Sequence, residues 1–386
     1  MNKKAFVIFI SIVISVYSLV NYYVFIHGYN ALPDSCIYKT IYITLFSFVF
    51  ISYILFRVLR SYSLYKVSEF LTWVGSFWLG AMFYFFLIIL FFDIIDFLNI
   101  YLKIIPSDLF APHNNASQLI GGISVIIVLI LMIFGFFNAR KPILKRIRIN
   151  IPKKADIITE LNIVAVSDIH IGMFIKHRMV KRLVRIINKQ KPDIVLFVGD
   201  IIDEDLKTVL KYDLGAPLKS INSQMGVFAV TGNHEYIGGK NNSVKYIESL
   251  GIKVLQDEVI KINNAFFIAG RNDKDMFRFT GKNRMNLTEL IKDIKPDVPL
   301  ILIDHQPFNF HEVQKCGVDL QISGHTHNGQ IWPLNYIIKT IFNLSKGYKK
   351  IDNSHFFVSS GFGTWGPPIR IGNKPEVVNI IIAFRN

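Results

Sequence analysis

The chain has 386 residues, 51% of them hydrophobic and only 18% charged, with 33 Phe and a formal net charge of +15. That is too apolar for an ordinary water-soluble enzyme and long enough for two folding units of different character. Its two cysteines, Cys36 and Cys316, lie far apart and exclude both a disulfide framework and a cysteine-rich zinc site.

Charge is unevenly shared. Residues 1–137 hold seven Lys/Arg against five Asp/Glu, a net of +2, and the remaining +13 lies downstream. Four apolar stretches, 5–26, 40–56, 71–92 and 119–137, are long enough to span a bilayer, since a crossing helix needs about 17–25 residues. The first follows Lys3 and Lys4 like a signal peptide, but no small-residue cleavage site closes it, and an uncleaved helix is expected. Asp93 and Asp96 close the third span and read as interfacial carboxylates rather than a transport path.

Short-loop charge sets the orientation. Lys3 and Lys4 precede the first span; Arg57, Arg60 and Lys66 separate the second from the third; Arg140, Lys141, Lys145, Arg146 and Arg148 follow the fourth. The other two loops offer only Lys39 and Lys103. A multi-pass cell-membrane protein with its C-terminal domain in the cytoplasm is expected. The expected division is a transmembrane region 1–138, a basic juxtamembrane linker 139–160, and a catalytic domain 161–386.

From residue 161 the pattern becomes short apolar runs alternating with amphipathic helices, an α/β signature. The runs are 161–167, 193–198, 226–231, 299–304 and 319–323. They lead into Asp168-Ile169-His170, Gly199-Asp200, Gly232-Asn233-His234-Glu235, His305, and Gly324-His325-Thr326-His327 respectively. Ligands gather at the carboxyl ends of strands in such sheets. Residues two apart in extended chain point the same way, so Asp168 with His170, and His325 with His327, can each share an ion. Glycines at 199, 232 and 324 let the backbone turn off the strand. Taken singly, an Asp-x-His is more often a surface pair, and a Gly-Asp after a strand an ordinary turn. Five such pieces in order favour a metal centre. Mixed oxygen and imidazole donors suit Mn, Fe or Zn better than Mg or Ca.

These motifs resemble those of the calcineurin-like metallophosphoesterases. The resemblance runs from residue 161 to the C-terminus and implies an α/β/β/α sandwich of two sheets between helices. It implies two divalent metal ions, with manganese expected and iron or zinc as alternatives. By motif, Asp168, His170 and His327 hold one ion, Asn233, His305 and His325 the other, and Asp200 bridges them. Asn233 also offers its amide to substrate phosphate. His234 falls outside the ligand set and is expected to protonate or stabilise the leaving oxygen, with Glu235 a candidate to orient it. The tail Gly363-Thr364-Trp365-Gly366-Pro367-Pro368, then Arg370 and Pro375-Glu376, is similar to a bacterial membrane-associated branch. That branch includes enzymes cleaving the pyrophosphate of a diacylglucosamine nucleotide in lipid A synthesis.

Substrate selection has fewer signals. Arg370 and Arg271 are candidates to grip phosphate bidentately. Residues 178–190 place Val180, Leu183, Val184 and Ile187 at helical spacing under a basic face of Arg178, Lys181, Arg182, Arg185 and Lys189. That face is either simply solvated or in contact with anionic head groups. Segment 331–350 mixes Trp332, Tyr336, Ile337, Ile341 and Phe342 with lysines, either as a hydrophobic lip for an acyl chain or as a connecting loop. No RNA- or DNA-reading motif appears, which argues against a nucleic-acid partner. The expected partners are the lipid bilayer and a phosphate-ester substrate, lipid-linked by preference. The rivals are a tethered enzyme for soluble esters and a non-catalytic sensor of a phosphorylated ligand.

Overall fold

The computed structural model describes residues 3–61, 65–104, 106 and 113–385. Among the basic residues used for orientation, the side chains of Lys3, Lys4, Arg57 and Arg60 lie outside the described set. The chain divides into two compact units, residues 1–136 with Gly366–Ile369, and Phe137–Trp365 with Arg370–Asn386.

The first unit is built from the four apolar stretches. They form helices α1 (Lys3–Asn30), α2 (Cys36–Ser61), α3 (Tyr65–Leu102) and α4 (Asn115–Asn138), each long and apolar enough to cross a membrane. All run past the apolar windows. The longest, α3, has 38 residues, roughly 57 Å at 1.5 Å per residue.

The second unit follows in chain order as β1 (Ile143–Ile151), β2 (Glu160–Val166), α5 (His177–Lys189), β3 (Ile194–Val198), α6 (Leu206–Tyr212), β4 (Val227–Val230), α7 (Asn233–Ile237), α8 (Lys240–Ser249) and β5 (Lys253–Val254). Its second half comprises β6 (Glu258–Ile262), β7 (Phe266–Gly270), α9 (Met276–Thr280), α10 (Leu287–Leu290), β8 (Leu300–Ile303), α11 (Phe310–Lys315), β9 (Leu320–Ser323), α12 (Leu334–Ile341), β10 (Gly347–Ile351), β11 (Ser354–Val358) and β12 (Glu376–Phe384). Two six-stranded sheets result, ordered β1-β12-β2-β3-β4-β5 and β10-β11-β9-β8-β7-β6.

Alternation along the strands assigns their two faces. Leu161, Ile163 and Ala165 of β2 and Ile194, Leu196 and Val198 of β3 meet Ile301 and Ile303 of β8 and Leu320 and Ile322 of β9 between the sheets. Their neighbours Val164, Val166, Val195 and Phe197 point outward onto Val180, Leu183, Val184 and Ile187 of α5. On the far side, Leu300, Leu302, Phe356 and Val358 are covered by Leu287, Phe310 and Val313. The architecture is the expected α/β/β/α sandwich.

One expectation is corrected. The segment read as a linker supplies β1, the edge strand of the first sheet, which runs parallel to β12 over nine paired residues from Ile143↔Glu376 to Ile151↔Phe384. Ile147, Ile149 and Ile151 alternate with Arg148 and Asn150, so the basic residues decorate a strand edge rather than a tether.

Candidate metal centre

Five strands end at one place. Strands β2, β3 and β4 run parallel in the first sheet, and β8 and β9 run parallel in the second. Their exits carry Asp168 and His170, Asp200, Asn233, His305, and His325 and His327. Among the described residues two separate clusters form, each with ligand atoms within 4.8 Å of one another: Asp168, His170 and His327; and Asp200, His305 and His325. A third such group, His170, Asp203 and His234, shares His170 with the first. In the first, His170 Nε2 and His327 Nε2 are 3.1 Å apart, and His327 Nε2 is 3.5 Å from Asp168 Oδ1. In the second, His305 Nε2 is 3.2 Å from Asp200 Oδ2, and Asn233 Oδ1 lies 2.9 Å from His325 Nδ1. Asp200 Oδ2 is also 3.9 Å from His170 Nε2. It therefore stands between the clusters.

The backbone holding these groups is unusual. Asp168, His170, Asp200, His325 and His327 all have positive φ, between 46° and 69°, in the left-handed region that non-glycine residues seldom adopt. Shared direction within Asp168/His170 and His325/His327 thus arises from tight left-handed turns, not from extended chain. Two glycines are required by crowding. A Cβ on Gly232 would sit 2.2 Å from Asp200 Oδ1, and one on Gly324 would sit 2.5 Å from Asp168 Oδ2. Asp168 in turn accepts the His325 N–H at 2.9 Å, locking the β2 and β9 exits together.

The donor chemistry fits a cation. His305 gives its Nδ1 proton to the Val198 carbonyl at 2.7 Å, which leaves Nε2 a buried atom with no hydrogen-bond partner among the described residues, facing a carboxylate. A proton or a metal ion must lie between such acceptors. Burial disfavours the His305 imidazolium, but the Asp200 and Asp168 carboxylates outweigh it and raise its pKa well above the ordinary value. Burial and neighbouring imidazoles lower His170 to about 4 and His325 to about 3. Those rings are neutral at physiological pH, as metal ligation requires. The His/Asp clusters fit a metal site.

His234 lies beside the clusters, buried, its backbone N–H donated to Asp200 Oδ1 at 2.9 Å. Its Nδ1 is 3.2 Å from Asp203 Oδ1. Burial would lower its pKa, but Asp200 and Asp203 raise it to about 9. Asp203 escaped the sequence reading. The available signal was a second carboxylate three residues beyond Asp200 in the same turn. Glu235 has a different task from the one expected. Its buried carboxylate accepts the N–H groups of Asp200 at 3.0 Å, Ile202 at 2.9 Å and Gly232 at 2.7 Å. It ties the β3 and β4 exits together and orients the loops, not His234.

The two arginines expected to grip phosphate are also corrected. Arg370 is 0% exposed. Its Nε donates to the Gly363 carbonyl at 3.0 Å, Nη1 to Asn373 Oδ1 at 3.0 Å, and Nη2 to the carbonyls of Gly361 and Gly363, 3.2 Å from His327 Nδ1. No face of the guanidinium is left for substrate; it braces the tail loop behind His327. Arg271 is nearly as buried, its Nη1 donating to Asp304 Oδ2 at 3.3 Å and its Nη2 to the Met285 carbonyl at 2.9 Å, while its Nε is buried with no hydrogen-bond partner among the described residues. What stands open beside the centre is aromatic. Trp365, 56% exposed, meets the His234 ring at a 6.2 Å centroid distance and 81°, and its backbone is clamped in both directions by the Gln330 amide.

The chain is similar to known proteins over this region. A family model described as calcineurin-like phosphoesterase matches residues 161–329. An uncharacterized metallophosphoesterase of Aquifex aeolicus is 37% identical over 226 residues, covering 58% of this chain and 85% of that protein. An uncharacterized metallophosphoesterase of Campylobacter jejuni is 30% identical over 385 residues, 97% of each chain, so the likeness takes in the four helices. A transmembrane protein with metallophosphoesterase domain from Bos taurus is 30% identical over 278 residues, 67% of this chain and 62% of that one. With the motifs, the two-sheet sandwich and these relatives in agreement, the chain belongs to the calcineurin-like metallophosphoesterase family.

Proposed function

We propose that this chain is a membrane-anchored, dinuclear-metal phosphoesterase that hydrolyses phosphate or pyrophosphate esters of an amphiphilic substrate on the cytoplasmic side of the cell membrane. The observation that carries the reading is the pair of buried His/Asp clusters with Asp200 Oδ2 between them. Asp168, His170 and His327 would hold one ion, and Asn233, His305 and His325 the other, with Asp200 shared. The chemistry that a bound divalent pair supplies is neutralisation of the phosphoryl oxygens and a water of lowered pKa; manganese is the expected metal.

The remaining work falls to side chains. Asn233 presents its amide N–H groups to a phosphoryl oxygen while its Oδ1 faces the second cluster. As water adds to phosphorus and the ester P–O bond breaks, His234 delivers a proton from Nε2 to the departing oxygen. Asp203 at Nδ1 holds the ring in that attitude and balances its charge. Trp365, beside His234, forms a wall on the leaving-group side.

An amphiphilic substrate is favoured by α12 and the turn before it. Trp332, Tyr336, Ile337 and Ile341 are all about half exposed, with Lys339 among them, and α12 buries none of its side chains. An exposed apolar patch of this kind marks an interaction surface. The cytoplasmic side rests on the basic clusters that flank alternate ends of the spans.

The test uses the full-length protein in detergent, with bis-p-nitrophenyl phosphate and Mn²⁺. Two equivalents of bound metal and chelator-sensitive turnover are expected, both lost in Asp200→Asn. Wild-type turnover that survives exhaustive chelation sinks the reading. Metal binding with no turnover on any phosphate ester would move it to a sensor.

A further inference from the structure

A cavity of about 570 Å³ lies among the four helices of the first unit, and every one of them contributes to its wall. Its body is apolar, formed by Val24 of α1, Phe46 of α2, Trp78 and Phe85 of α3, and Ile120 of α4. Polar groups line it too: His27 and Asn30 of α1, Asp93 and Asp96 of α3, and Ser117 of α4. Those from α1 and α3 follow the apolar stretches of their helices, and Ser117 precedes that of α4, so in an up-and-down bundle they share one end. The volume falls within the range of about 300–1,000 Å³ typical of small-molecule sites.

The charges at that end do not cancel. Asp93 and Asp96 are three residues apart on α3 and so share a face. Asp93 Oδ2 accepts the Tyr23 hydroxyl and stands 3.2 Å from His27 Nε2. The other nitrogen of His27 donates to the Tyr23 carbonyl at 2.9 Å. The Asp96 side chain has no hydrogen bond or ion pair among the described residues. Even with His27 protonated, one carboxylate remains uncompensated.

Depth gives the cavity its direction. The apolar window 71–92 of α3 is about 33 Å of helix, enough to cross the hydrocarbon core, and the two carboxylates follow it at once. Carboxylates at head-group level above an apolar chamber at acyl-chain level reproduce the polarity profile of a membrane amphiphile. We propose that this cavity binds an amphiphile with a hydrocarbon tail and a cationic, amine-bearing head. The tail lies among Phe46, Trp78 and Phe85, and the ammonium group lies beside Asp93 and Asp96. An anionic head would meet like charge. The proposal is independent of the metal centre.

Trp78 supplies the readout. Full-length protein in phosphatidylcholine nanodiscs is titrated with three brominated-chain probes: a long-chain primary amine, a phosphatidylethanolamine, and a fatty acid of the same chain. The signal is the part of the tryptophan quenching that disappears in Trp78→Phe. Saturable quenching is expected from the amine or from the aminophospholipid, and whichever saturates identifies the source of the head group. The fatty acid should require at least about tenfold more. Asp93→Asn and Asp96→Asn should each erode that preference by about fivefold, the scale of a partly exposed ion pair. Val49→Phe, which fills the chamber, should weaken all three probes. Asp96→Asn breaks no side-chain hydrogen bond or ion pair among the described residues and so keeps the test available if Asp93→Asn disturbs folding. Equal half-saturation by amine and fatty acid, or a preference unchanged by Asp96→Asn, overturns the proposal.

Discussion

The helical unit and the α/β unit are packed inside out with respect to each other. In the first, Leu45, Ile130 and Phe134 are more than half exposed while Asn21, Ser68, Thr72 and Ser76 are buried. In the second, Leu196, Phe197 and Ile301 are wholly buried. The contrast follows from the solvent each surface meets. Lipid tails are as apolar as leucine, so helix association gains little from apolar burial and depends on close packing and hydrogen bonds. Asn21 is the clearest case: its amide donates to the Tyr17 carbonyl at 2.8 Å and accepts the Trp78 indole N–H at 2.8 Å. Hydroxyls bond back to their own helix, as Thr72 does to Ser68 and Ser124 to Ile120. The α/β unit has a water-driven core and concentrates its buried polarity at the strand ends, where it has chemistry to perform.

The largest effects should come from that buried polarity. Asp200→Asn removes the group shared by both clusters, so metal content should fall and turnover should drop by ~10³-fold or more, the scale of losing a preorganised electrostatic element. The thermal transition of the helices in detergent should not move. Metal analysis, kinetics and circular dichroism on one preparation decide this, and a variant that kept full activity would remove Asp200 from the centre. His234→Ala should leave metal content unchanged and lower kcat by ~10²–10⁴-fold, the contribution of a positioned general acid. Asp203→Asn should cost less, ~10–100-fold, as an outer partner does. Its loss should shrink on p-nitrophenyl esters, whose leaving group needs no proton. An equal loss on good and poor leaving groups would make Asp203 a structural residue only.

The sequence disclosed chemistry better than it disclosed burial. Five apolar runs, each followed by Asp, Asn or His, led directly to β2, β3, β4, β8 and β9 and to side chains that the fold gathers into clusters fit for a metal, because such polar groups are rare at the ends of apolar runs. Arg370 and Arg271 show the limit. Both lie beside motifs or strands, and only the fold reveals that they are buried, with Arg370 donating to the carbonyls of Gly361 and Gly363 and Arg271 to that of Met285. Strand β1 was hidden by its lysines and arginines and by a partner, β12, more than two hundred residues away. Its alternating Ile147, Ile149 and Ile151 carried the signal all the same. Asp203 went unseen because it sits within a turn rather than at a strand end, and its one local signal, a carboxylate three residues beyond Asp200, is shared by many solvated turns.

The packing contrast itself can be measured. Leu196→Ala in the inter-sheet core should destabilise the α/β unit by ~2–5 kcal/mol, through lost burial and the cavity left behind. Asn21→Leu should cost the helical unit ~0.6–2 kcal/mol, because hydrogen bonds between membrane helices are individually modest. Ile130→Ala, at a largely exposed apolar position outside the cavity, should be close to neutral. Chemical denaturation followed separately for helix and tertiary signals gives the three values. If Ile130→Ala proved as costly as Leu196→Ala, the helical unit would have a conventional core and the comparison would fail.

An effect that depends on salt and substrate is expected on the outer face of α5. Val180, Leu183, Val184 and Ile187 are buried against the sheet, so Arg178, Lys181 and Arg185 project away from it and contribute little to the fold. Arg182 is different, since its Nη1 donates to the Arg140 carbonyl at 2.7 Å, and it should be left in place. Exposed lysines and arginines near an anionic membrane each gain up to about 1 kcal/mol, fading with salt. Replacing Arg178, Lys181 and Arg185 with Ser should therefore raise the apparent KM for an amphiphilic ester in anionic liposomes by roughly tenfold, short of that ceiling. The kcat on a soluble ester should stay as it was. At 1 M salt, where the screening length falls to about 3 Å, the variant and the wild type should converge. Equal losses on the soluble and amphiphilic esters would mean that the helix serves only the fold. A KM unmoved on both would leave the basic face merely solvated, and would shift the case for an amphiphilic substrate onto Trp332, Tyr336, Ile337 and Ile341 alone.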